Sequence, residues 1–124
     1  MQLLLVSNMN MEVITVNSLD TLKANSYNVL KQGDTYALFL NVSKNYEFHV
    51  NEDMKLNVVV NEGVETSLLI YVDESVKQSI INVVVENGAL ARVFILNNSK
   101  TMIIEEHSVK ENGMIHYFNY NLTF

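Results

Sequence analysis

The chain has 124 residues, a formal net charge of −6 and no cysteine. That leaves room for one domain and excludes any disulfide or thiolate metal site; with only eight scattered basic residues it also excludes a phosphate-neutralising nucleic-acid surface or an anionic membrane surface. Hydrophobic residues make up 48% and charged residues 18%, a balance that excludes a disordered tail.

The N-terminal MQLLLV has no basic flank and is too short for a signal peptide. Nowhere do about eighteen apolar residues run together, so the chain is predicted to be a soluble, untargeted protein. The first third, residues 1–34, is irregular. MQLLLV and MEVITV are predicted strands, and SLDTLKA at 18–24 is predicted to be a single helical turn capped by Ser18.

From residue 35 onward apolar residues recur every second position, as in strands with one buried face. Tyr36, Leu38, Leu40 and Val42 form one such run; Met54, Leu56, Val58 and Val60 a second; Val64, Leu68, Ile70 and Val72 a third; Ala89, Ala91, Val93 and Ile95 another. Short polar clusters separate them, at 43, 51, 61, 73, 86, 97 and 110. Two strand-and-turn units therefore fill one interval of about 25 residues.

That interval is marked by three of the four glycines, Gly63, Gly88 and Gly113, in NEGVET, ENGALA and ENGMIH. The repeats run over about 36–60, 61–85, 86–110 and 111–124 within one all-β domain, 1–124. Placed under one another they give inward columns Val64/Ala89/Met114, Leu68/Val93/Phe118 and Ile70/Ile95/Tyr120, with His116 in the column of Thr66 and Ala91. The second halves agree less well, since Ile80 and Ile81 fall opposite Glu105 and Glu106. The period predicts a β-helix-like stack of 25-residue coils in which each glycine occupies a corner of positive φ. An antiparallel β-sandwich or jelly roll, with Asn-Gly as a hairpin turn, stays open as the alternative.

Chemistry-bearing patterns are sparse. Glu105 and His107, at i and i+2, share one face of a strand and are candidate metal ligands, though nothing in the sequence supplies a third. A solvated polar patch is the competing reading. No nucleophile elbow or phosphate-cradling glycine loop occurs, so a hydrolase reading finds no support and no catalytic residue is assigned.

The final strand, MIHYFNYNLTF at 114–124, carries no Asp, Glu, Lys or Arg. Uncharged sheet edges template further strands. His116, Phe118, Tyr120, Leu122 and Phe124 are therefore predicted to form an interface, either with a second copy across a two-fold axis or with a related β-helical subunit. The competing possibility is that MQLLLV or MEVITV folds back over this edge.

The 25-residue period and the phrase ENGALARVFILNNSKTMIIEEHSVKENGMIHYFNYNLTF at 86–124 resemble the β-helical core of the SufB/SufD family, with the likeness reaching back to about residue 36. The resemblance implies a cytoplasmic, non-catalytic scaffold in iron-sulfur cluster assembly rather than an enzyme, a heteromer with a SufB-like subunit and a SufC-like ATPase, and a cluster held only together with a partner, none by this chain alone. The chain is shorter than the usual members and lacks their flanking helical segments. Having no cysteine, it is similar to the SufD side. No functional residue of the family maps onto a position here. A β-helical structural protein of the phage fibre or decoration type is the alternative, and a small cupin-like metal-binding protein a third reading.

Overall fold

Valine, isoleucine and aromatic residues alternating with polar ones favour extended backbone with one face buried. In the computed structural model, which describes residues 11–16, 28–33, 35–101 and 104–121, they form ten strands and no helix among the described residues. The strands are β1 (Met11–Val16), β2 (Asn28–Gln32), β3 (Thr35–Leu40), β4 (Asn45–Val50) and β5 (Met54–Val60), followed by β6 (Glu65–Val72), β7 (Ser79–Val85), β8 (Leu90–Asn97), β9 (Ile104–Val109) and β10 (Met114–Asn121). They alternate between two sheets, ordered β1-β4-β6-β8-β10 and β2-β3-β5-β7-β9. Every pairing is parallel except β2 with β3. The chain is thus a β-solenoid of about four coils, β3–β4, β5–β6, β7–β8 and β9–β10. β6 and β8 pair in parallel, which rules out the hairpin sandwich. The helical turn expected at 18–24 and the strand expected at MQLLLV lie outside the described residues.

Parallel strands about 4.8 Å apart bring each inward side chain onto its equivalent in the next coil. The register gives columns Leu38–Val58–Val83, Leu40–Val60–Val85, Tyr46–Leu68–Val93 and Phe48–Ile70–Ile95. All twelve side chains are buried. Burying each aliphatic or aromatic group contributes about 1.5–3 kcal/mol, so these columns are the main force closing the two sheets on each other.

Polar side chains in the connections tie one coil to the next. The Thr66 hydroxyl donates to the Lys44 carbonyl, Ser99 to the carbonyl of Val76, and Thr101 to that of Lys77. The Asp53 carboxylate accepts from the backbone N–H groups of Lys77 (2.7 Å) and Gln78 (3.2 Å). These two bonds, that of Lys77 foremost, hold its carboxyl below the usual carboxylate range.

The interval between coils is not constant: it is 20 residues from β3 to β5 (Leu38↔Val58) and 22 from β4 to β6 (Phe48↔Ile70), so the first repeat, expected over about 36–60, is shorter than the rest. It is 25 residues from β5–β6 to β7–β8, as Met54↔Ser79 and Leu68↔Val93 show, but 24 from β7–β8 to β9–β10, as Ile80↔Ile104 and Val93↔Tyr117 show. The missing residue lies between β8 and β9: Val72 and Ile80 are 8 positions apart, whereas their partners Asn97 and Ile104 are 7 apart (80 − 72 against 104 − 97). A one-residue offset exchanges the faces of a strand. The last members of the three expected columns are therefore corrected. Ile115 and Tyr117 pack against the core, while Met114, Phe118 and Tyr120 point outward and are exposed. His116 lies beside Arg92 on the outer face, in the column of Arg92 and Ser67 and not in that of Thr66 and Ala91. The same offset sets Glu105 beneath Ile81 and Ile104 beneath Ile80.

It also changes the corner. Tight turns at 61–64, 86–89 and 110–113 are closed by N–H groups of Val64, Ala89 and Gly113 donating to the carbonyls of Asn61, Glu86 and Lys110, each at 3.0 Å. Positive φ falls on the third residue of each turn, Gly63 (75°), Gly88 (71°) and Asn112 (64°). Gly113 thus takes the place of Ala89 and is not a positive-φ corner. It answers a different constraint: a Cβ there would lie 3.0 Å from the Glu86 carbonyl oxygen and 3.1 Å from that of Lys110. A Cβ on Gly88 would meet nothing within 4 Å, so its constraint is conformational alone.

Gly88→Ala should therefore destabilise by about 1 kcal/mol or more through backbone strain. Gly113→Ala should destabilise by crowding the two turn carbonyls. Thermal melts unchanged by both substitutions would contradict this assignment of the corners.

Candidate interaction site at the C-terminal rung

Among the described residues no strand pairs with the outer edge of β9 or of β10. β1, the MEVITV segment, pairs with β4 at the opposite end of its sheet, so it does not fold back over the last coil. MQLLLV lies outside the described residues, as do Leu122 and Phe124.

The backbone of this edge is open in a defined way. The Met114 N–H donates to Ala89 (2.9 Å), and the N–H of Lys110 to Val85 (2.8 Å), both toward the body of the solenoid. Successive residues of a strand turn their peptide groups to opposite sides. The free edges are consequently presented by Ile115, Tyr117 and Asn119 in β10, and by Glu105, His107 and Val109 in β9.

Two environments meet there. On the outer face of β10, Phe118 is 45% exposed and Tyr120 46%. The Phe118 ring stacks on Phe94, with centroids 5.2 Å apart and planes within 11°, so one ring face is covered and the ladder stops at the other. On the inner side the columns turn polar. Ile81 is followed by Glu105, Val83 by His107, and Ile95 by Asn119. The His107 ring lies 5.3 Å from that of Tyr117, whose hydroxyl is buried and has no hydrogen-bond partner among the described residues. Burial pushes the Glu105 carboxyl above its ordinary range.

Glu105 and His107 do share one face, as their spacing requires, but it is the inner face. Among the described residues no third His, Cys, Asp or Glu joins them in a metal-holding group. A second Glu/His pair escaped the sequence reading. On the outer face of β4, Glu47 and His49 are 2.6 Å apart, and the His49 ring stacks on Tyr71 at 5.0 Å. They adjoin a shallow cleft of 230 Å³ between Asn51, Asp73 and Asn98. Burial first, and Glu47 second, raise the Tyr71 hydroxyl above its usual range. The same i, i+2 spacing as in Glu105/His107 was the signal that could have found this pair. A larger cleft of 470 Å³ lies along Tyr36, Asp53, Met54 and Gln78.

Because the folded chain holds the Glu105 proton more tightly than the unfolded chain does, the ionised carboxylate costs stability at neutral pH, and acidification through the folded value removes that cost. Glu105→Gln in dilute protein should therefore raise the melting temperature at neutral pH. The gain should vanish as the pH falls through and below the ordinary glutamate range, about 4.3. A variant melting identically to the parent at neutral pH would contradict the desolvation of Glu105.

No family model, curated protein or solved structure matches the chain.

Proposed function

We propose that this protein is a non-catalytic interaction module that joins a larger assembly through its last coil. The observation that carries the reading is the rung of β9 and β10, which no described strand caps and whose outer peptide groups lie beside the exposed rings of Phe118 and Tyr120. Open strand edges and large exposed apolar groups are both features that associating surfaces use. The cupin-like reading is set aside, since a jelly roll is an antiparallel double sheet and these sheets are parallel.

Within that reading we propose a SufD-like scaffold role in cytoplasmic iron-sulfur cluster assembly, with a SufB-like subunit and a SufC-like ATPase as partners. It is supported by the resemblance of residues 86–124 and by the solenoid architecture that the family shares. A cluster would then lie at a junction with the partner, since this chain supplies no thiolate. Affinity purification of the tagged protein from its native host should recover a SufB-like or SufC-like protein, and a deletion strain should lose iron-sulfur enzyme activity. Recovery of virion proteins, with iron-sulfur enzymes unaffected, would overturn the cluster role in favour of a structural fibre or decoration piece.

A further inference from the structure

The geometry points to a specific self-complementary contact, resting on the reading of the last coil as an interface: two copies join end to end about a two-fold axis that passes between Phe118 and its counterpart and between Glu106 and its counterpart. The His107–Tyr117 ring contact fixes how β9 and β10 lie relative to each other. One residue back on β9 and one onward on β10 bring Glu106 and Phe118 to the same level. An axis through both, perpendicular to the two sheets, makes β10 antiparallel to β10 of the second copy and β9 antiparallel to its β9.

Backbone and side chains agree on this register. In β10 the free peptide groups belong to Tyr117 and Asn119, which the axis sets opposite each other as a hydrogen-bonded pair. Phe118 then faces Phe118 at a non-hydrogen-bonded position, where Cα atoms approach to about 4.5 Å. In β9 the free groups of Glu105 and His107 face each other in the same manner.

The side chains match as well. The Phe94–Phe118 stack continues into Phe118 and Phe94 of the second copy, covering the exposed ring face. Each Glu105 carboxylate, placed inward and resisting ionisation alone, meets a His107 imidazole able to donate to it. One feature opposes the contact: Glu106 faces its own copy on the water-exposed outer face, and like charges directly opposite repel.

The test uses the full chain, which has no native cysteine to confuse cross-linking. Light scattering at tens of micromolar should give twice the chain mass. Phe118→Cys should form a covalent dimer on mild oxidation, since its counterpart lies directly across the axis. Tyr120→Cys should not, because four residue steps separate it from its counterpart, about 13 Å against the roughly 4 Å that a disulfide spans between Cβ atoms. Glu105→His should weaken the dimer about fivefold, the double swap Glu105→His/His107→Glu should restore it, and Glu106→Gln should tighten it. A dimer that cross-links through Tyr120→Cys as readily as through Phe118→Cys would overturn this register while leaving the last coil an interface. A monomer that gives no Phe118→Cys cross-link would overturn self-association itself. The heteromeric reading would then stand or fall on the purification experiment alone.

Discussion

Everything in this chain depends on the requirement that a side chain in one coil fit the one stacked on it in the next. In a parallel stack the neighbour across the ladder is the residue one turn of the coil earlier, so each inward position is constrained along a column. Phe48, Ile70 and Ile95 occupy one such column, and each is fully or almost fully buried. Turns obey the same rule. Gly63 donates its N–H to the Asn87 carbonyl of the next corner, and the Asn112 amide donates to the Asn87 side chain. The corner is therefore held by its neighbours as well as by its own closing hydrogen bond.

Much of this was legible because period two and a fixed glycine interval are local signals. The inward positions Leu38, Leu40, Val58, Val60, Leu68, Ile70, Val93 and Ile95 follow from them, and so does a stack of coils; Val42, beyond the end of β3, is exposed, and the first step, of 20 to 22 residues, carries no glycine mark. The last coil was not legible, for a physical reason. MIHYFNYN is apolar on both faces, with Ile115 and Tyr117 on one and Met114, Phe118 and Tyr120 on the other. Alternation alone cannot choose between two apolar faces, and the glycine interval chose the wrong one. Gly113 was mistaken for the positive-φ residue because asparagine also tolerates that conformation, and Asn112 stands immediately before it. The trace of the offset was already present in Glu105 and Glu106, which fit poorly beneath Ile80 and Ile81. Setting Ile104 beneath Ile80 removes half of that misfit. The other half, Glu105 beneath Ile81, is retained in the fold.

That retained misfit changes what the end of the solenoid is. An inward carboxylate on an edge strand discourages the addition of an indiscriminate apolar strand. β9 is protected in this way by Glu105 and His107, whereas the described part of β10 carries no charged side chain apart from a titratable His116 on the outer face. The end coil thus presents polar groups inside and an aromatic ladder outside, a surface that disfavours an indiscriminate apolar strand. The first described coil differs, since β1 and β2 extend its two sheets.

The 24-residue step into the last coil determines which rings are buried and which are presented to a partner. Nuclear Overhauser contacts in the isotopically labelled chain test it most directly. The account predicts ring-to-ring contacts between Phe94 and Phe118 and cross-strand contacts between Val93 and Tyr117. Contacts linking Val93 to Phe118 and Ile95 to Tyr120, with Tyr117 open to solvent, would extend the preceding 25-residue step into the last coil and contradict it.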